Sequence, residues 1–113
     1  MDDRAARIAA NESRFRDINE RLRGDLRALP ETDETIDFVC ECGRVDCAQP
    51  VQLTLAEYEA VRASSLDFVV VPGHQSPGVE DVVDSRERYA RVRKHPEVAP
   101  LVTETDPRRP GGG

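Results

Sequence analysis

The stretch FVCECGRVDC, residues 38–47, carries all three cysteines of the chain within eight positions. Three thiols cannot all pair with one another, so a fourth group completes a set or one thiol stands apart. Ile36, Phe38, Cys40 and Cys42 alternate with polar residues, the period of side chains on one face of a β-strand. That reading sets two thiols side by side. Gly43 then permits a sharp turn, and the segment 43–46 brings Cys47 back toward the pair.

A tight cysteine cluster in a reducing compartment points to a metal or a reactive thiol rather than to a disulfide framework. Three soft sulfur donors suit Zn²⁺, and the fourth tetrahedral position falls to His74 or His95. His74 is favoured because it sits in a Pro-Gly-His turn after a buried strand, whereas His95 opens a proline-rich tail. The spacing C-x-C-x4-C-x26-H departs from the paired C-x2-C of fingers and ribbons. Two rival readings stand beside it: half-buried free cysteines with a surface histidine, and thiols that oxidise when metal leaves, with Cys40 and Cys42 closing a disulfide.

The segments around the cluster read as elements of a small α+β domain. VQLTLAEYEAVRASS, residues 51–65, holds a capping box in Thr54 and Glu57, which starts a helix expected over residues 55–63. DFVVV, residues 67–71, is a buried strand expected to lie beside IDFVCEC, residues 36–42. Residues 79–84 and 89–94 alternate on either side of a polar SRER and predict a β-hairpin. The expected order is a metal-stapled β-α-β unit followed by that hairpin, over residues 30–95.

Before it, residues 1–29 form an amphipathic helix. Ile8, Phe15, Leu22 and Leu29 recur every seven positions, with Ile18 and Leu26 on the same face. Glu12 with Arg16, and Asp17 with Arg21, stand at the i, i+4 spacing of solvated ion pairs. The helix either packs across the small sheet or offers Phe15, Ile18 and Leu22 to a protein partner. Residues 96–113 hold four of the eight prolines and three terminal glycines, and are expected to be a disordered tail.

Composition narrows the function. At 113 residues with 38% hydrophobic content and no tryptophan, the core is small and a staple is expected. The net charge of −6, with seven bases against thirteen acids in residues 30–94, argues against nucleic acid. No apolar run reaches the length of a membrane span and no signal peptide opens the chain, so a cytoplasmic location is expected. Fifteen arginines against a single lysine, Lys94, suggest a GC-rich bacterial genome.

Catalytic signatures are absent: neither H-E-x-x-H nor the deaminase pattern of H-x-E with P-C-x-x-C occurs, and Glu41 alternates away from the cysteines. Cys47 with His74 lacks an evident third group for nucleophilic catalysis. The expectation is a non-enzymatic zinc-binding adaptor that acts through an unidentified protein partner, with a thiol or zinc redox switch as the alternative.

The combination NESRFRDINERL, FVCECGRVDC, LTLAEYEAVR and FVVVPGH resembles a group of short bacterial proteins. These share an N-E-x-x-F-R-x-x-N-E helix, a C-E-C-G cluster, an L-T-x-x-E-Y-x-x-V-R helix and a P-G-H turn. The likeness spans most of residues 7–94. It implies that the four stretches form one unit around a zinc-binding cluster, and it implies no activity.

Overall fold

The computed structural model describes residues 3–26, 34–47 and 49–108. It is a mixed α+β arrangement with the element order α1 (Asp3–Asp25), β1 (Ile36–Val39), β2 (Pro50–Leu53), α2 (Leu55–Val61), β3 (Asp67–Val70), β4 (Glu80–Ser85), β5 (Ala90–Lys94) and α3 (Ala99–Glu104). β1 and β2 make a two-stranded antiparallel sheet, and β3, β5 and β4 a three-stranded one in that order.

The hairpin and α2 form as expected. β4 pairs with β5 through Glu80↔Lys94 and Val82↔Val92, with a bulge between Val82 and Asp84. The capping box closes reciprocally: the Glu57 N–H donates to Thr54 Oγ1 at 3.1 Å, and the Thr54 N–H donates to Glu57 Oε1 at 2.8 Å.

β1, however, finds its ladder partner in Pro50–Leu53, a strand hidden in the approach to α2. Pro50 is tolerated because it opens the strand and is exposed there, where its missing N–H costs no ladder bond. The expected neighbour β3 meets the chain just beyond β1, where the Glu41 N–H donates to the Val69 carbonyl at 2.8 Å.

The region expected to be a disordered tail is ordered up to residue 108. Val98 and Val102 are fully buried in the same core as Phe68, Val70, Val79 and Val92. A short helix covers that core because Pro100 stands in its first turn, where a missing N–H is harmless, and Val98 and Val102 are one turn apart on its inner face. Residues 109–113, like 27–33 with the expected helix end at Leu29 and Pro30, lie outside the described residues.

α1 overturns its own amphipathic reading. The residues that it buries include Asn11, Glu12, Ser13, Arg16 and Asn19, whereas Ile18 is 46% exposed. Phe15 is half-buried, and Leu22 is partly buried against a second core of Phe38, Leu53, Tyr58 and Val69. Glu12 and Arg16 are therefore not a solvated i, i+4 pair. The Arg16 guanidinium donates to the Ser65 and Val102 carbonyls at 2.8 and 2.7 Å and lies 4.5 Å over the Phe68 ring centroid. Glu12 pairs with the buried Lys94, which also pairs with Glu80. The helix thus packs against both cores, the first of the two roles expected for it.

Among the described residues no helix is long and apolar enough to cross a membrane.

Candidate metal centre

β1 runs straight into the cluster. Because its pleat alternates, Cys40 and Cys42 turn to one core while Glu41 between them turns to the opposite side. Both thiols are fully buried, and Cys47 returns half-buried to the same place. The return is a turn closed by the Cys47 N–H on the Arg44 carbonyl at 3.2 Å.

Gly43 serves this turn by its size. Its φ is not positive, so no left-handed backbone demands glycine. A Cβ there would instead lie 2.7 Å from Ile8 Cγ2 and 3.1 Å from Ser76 Oγ, so α1 and the 71–77 loop close on the knuckle only because that atom is missing.

His74 arrives from the other sheet. After β3 the chain turns through Gly73, whose φ of +93° is a conformation that L side chains rarely adopt. The His74 N–H then closes the turn on the Val71 carbonyl at 2.9 Å. This presents Nδ1 at 3.6 Å from Cys40 Sγ and 3.7 Å from Cys47 Sγ. The three sulfurs and this nitrogen all lie within 4.8 Å of one another. His95, the other histidine, is held elsewhere, with Nε2 3.1 Å from Asp81 Oδ1.

The two separations from His74 are close to the edge of a coordination tetrahedron. With Zn–S near 2.3 Å and Zn–N near 2.0 Å, a tetrahedral site spaces S and N about 3.5 Å apart and two sulfurs about 3.8 Å apart. Four donors at metal-ligand spacing, three of them soft, make a group that can hold a metal ion, and Cys47 and His74 are the partly exposed members.

The thiols are not independent. The hydrogen bond between Cys40 and Cys42 raises the first and lowers the second, and burial reinforces the rise at Cys40. Cys42 is thereby the more acidic of the two, and a thiolate is the form that ligates a cation. The Val71 N–H adds a bond to Cys40 Sγ at 3.2 Å. Peptide N–H bonds of this kind steady a ligating sulfur.

Sequence reasoning missed the polar frame behind the sulfurs. Asn11 Nδ2 donates to the Cys42 carbonyl at 3.2 Å. Glu41, fully buried, accepts from Asn19 Nδ2 at 2.8 Å and from the Val69 N–H at 3.0 Å. Burial pushes its carboxyl up to about 7, against the lowering effect of those two bonds. Glu20 accepts from the Tyr58 hydroxyl at 3.0 Å and from Arg62 and Arg108. The signal was present as the spacing of Asn11-Glu12 and Asn19-Glu20, two helical turns apart and so on one face.

Comparison with protein-family models, with curated proteins and with solved structures gives no match. The reading of the site rests on its own geometry.

Proposed function

We propose that the chain is a non-enzymatic adaptor or regulatory module folded around one Zn²⁺, held by Cys40, Cys42, Cys47 and His74. The observation that carries the metal is the convergence of three sulfurs and one imidazole nitrogen within 4.8 Å of one another. Three sulfurs and one imidazole nitrogen favour zinc over the oxygen-seeking divalent ions. Four protein ligands leave no open position for water, which favours a structural role over a catalytic one. The ion would tie the β1 end to the β3 end and so link the two sheets.

The contact reading places a protein partner on the outer face of α1, where Ile18 is 46% exposed and Phe15 is half-buried. Leu22 contributes less, because it packs against the core. Ile18→Asp should then abolish capture of the partner while zinc content stays unchanged.

The deciding experiment is metal content by mass spectrometry on protein purified without added metal or a histidine tag. One zinc per chain is expected, lost or bound much more weakly in His74→Ala. Protein without metal that also fails to take up zinc would sink the proposal.

A second reading, a redox-responsive switch, is favoured by the half-exposure of Cys47. There, two zinc-bound thiolates would give two electrons to peroxide, forming one S–S bond, while the peroxide takes two protons from solvent to become two waters and the ion is released. Zinc release at low peroxide, reversed by a thiol reductant, would distinguish that role from a permanent staple.

A further inference from the structure

α1 is anchored in two halves of different kind. Its first half touches the two loops that carry the four donors. Arg4 donates to the Pro77 carbonyl at 3.4 Å, Ile8 fills the space that a side chain on Gly43 would need, and Asn11 donates to the Cys42 carbonyl at 3.2 Å. Glu12 pairs with Lys94, Lys94 pairs with Glu80, and Glu80 Oε2 accepts from the Ser76 N–H at 2.9 Å. Ala5, Ile8 and Ala9 complete the seal over Cys40, Cys42 and Cys47.

The second half holds mainly to elements away from the donor loops. Arg16 bonds to the Ser65 and Val102 carbonyls, and Asn19 bonds both ways to Val39 on the free edge of β1. Glu20 takes bonds from Tyr58, Arg62 and Arg108. Within residues 40–47 this half touches Glu41, whose carboxylate accepts from Asn19 Nδ2 at 2.8 Å, and none of the bonds above reaches residues 42–47 or 71–77.

Backbone bonds tie Cys40 to Gln49 and Glu41 to Val69, and the Val71 N–H reaches Cys40 Sγ, but residues 42–47 and 72–77 have less to keep them in place. Their internal backbone bonds are local, Cys47 to Arg44 and His74 to Val71. The group Cys40, Cys42, Cys47 and His74 spans both of them, so an ion bound there would cross-link them, beside the Val71 N–H on Cys40 Sγ. Segments held by few bonds open locally before the whole fold does.

We propose that metal occupancy gates the first half of α1: loss of the ion releases residues 3–12 from the knuckle while residues 16–25 stay docked. This rests on the zinc reading above. The released face is Ala5, Ile8 and Ala9, and the groups uncovered beneath it include Lys94, now fully buried. A stripped metal centre thereby uncovers an apolar surface that the loaded protein keeps covered.

The single lysine of the chain makes this measurable. The full-length zinc-loaded protein, the same protein stripped with a strong zinc chelator, and the stripped protein reloaded with zinc are compared. Amide hydrogen exchange is read on peptides from residues 3–12 and 16–25, and an amine-acylating reagent is read at Lys94 by mass spectrometry. Stripping should speed exchange in residues 3–12 and acylation of Lys94 by about tenfold or more, with less than about twofold change in residues 16–25, reversed by zinc. Equal acceleration of both halves would overturn the proposal in favour of a global staple. No change in either half, with zinc verified as bound and then removed, would overturn it while leaving the zinc site intact. Protein that never binds zinc removes both readings together.

Discussion

Asn19 binds Val39 as a neighbouring strand would: its Nδ2 donates to the Val39 carbonyl at 2.8 Å and its Oδ1 accepts from the Val39 N–H at 2.8 Å. A helix side chain thus completes the free edge of β1 just before the first cysteine. The same amide group steadies Glu41, so one residue serves three polar partners.

Asn19→Leu keeps the volume and removes all three bonds. Leaving buried backbone and carboxylate groups without partners costs about 1–3 kcal/mol each, and partial relaxation brings the expected loss to about 3 kcal/mol in urea unfolding, with the slope unchanged. A loss under about 1 kcal/mol would mean that the amide is not the edge partner.

Gly43 and Ile8 form a steric pair, and a Cβ at residue 43 would meet Ile8 Cγ2 at 2.7 Å. Gly43→Ala should destabilise the fold by about 1–3 kcal/mol, the range for overpacking. Because the closest approach is to Ile8, with Ser76 Oγ farther off at 3.1 Å, Ile8→Ala should absorb most of that cost. A double-mutant cycle then gives a coupling near the single cost, and additive behaviour would show that the turn itself, not the helix contact, demands glycine.

How the sequence announced the fold varied with the kind of signal. The capping box of Thr54 and Glu57 and the hairpin around residues 80–94 are local patterns, and both formed where expected. The convergence of Cys40, Cys42 and Cys47 with His74 was legible for the same reason: alternation along β1 and two rigid turns decide it. α1 was misread because an apolar heptad was weighed above polar spacing. Asn11, Glu12, Arg16 and Asn19 are buried because each has a partner from a distant element, and partners of that sort have no local signature. β2 was hidden because four residues beginning with Pro50 carry almost no periodicity. α3 was hidden because Pro96, Pro100 and Pro107 looked like disorder, whereas they mark the borders and first turn of a short helix.

α3 is a core element, and its removal gives a direct test. Truncation after residue 95 uncovers Phe68, Val70 and Val92 and deletes the buried Val98 and Val102. It also leaves the Arg16 guanidinium without the Val102 carbonyl. The truncated chain should lose cooperative thermal unfolding, since a small domain has about 5–15 kcal/mol in total and the deletion removes two buried valines plus a charged hydrogen bond. A sharp transition retained within a few degrees would return residues 96–108 to the status of a tail.

Asp106 closes the same region by pairing with Arg62, whose side chain is fully buried, and by accepting from Ser65 Oγ at 2.5 Å and the Arg108 N–H at 2.9 Å. Burial alone would raise its carboxyl, but those two bonds and the charges of Arg62 and Arg16 outweigh it and hold it below the ordinary aspartate range. A depressed carboxyl stabilises the fold fully above the unfolded value near 3.9, and that stability is lost as pH falls through the lower folded value. Asp106→Asn should therefore cost about 3 kcal/mol at neutral pH, the scale for removing one partner of a buried pair. The difference from wild type should hold through pH 5 and shrink below about pH 4. Urea unfolding at pH 7, 5 and 3 reads this, and a gap that stays constant down to pH 3 would show that the contribution of Asp106 is shape rather than charge.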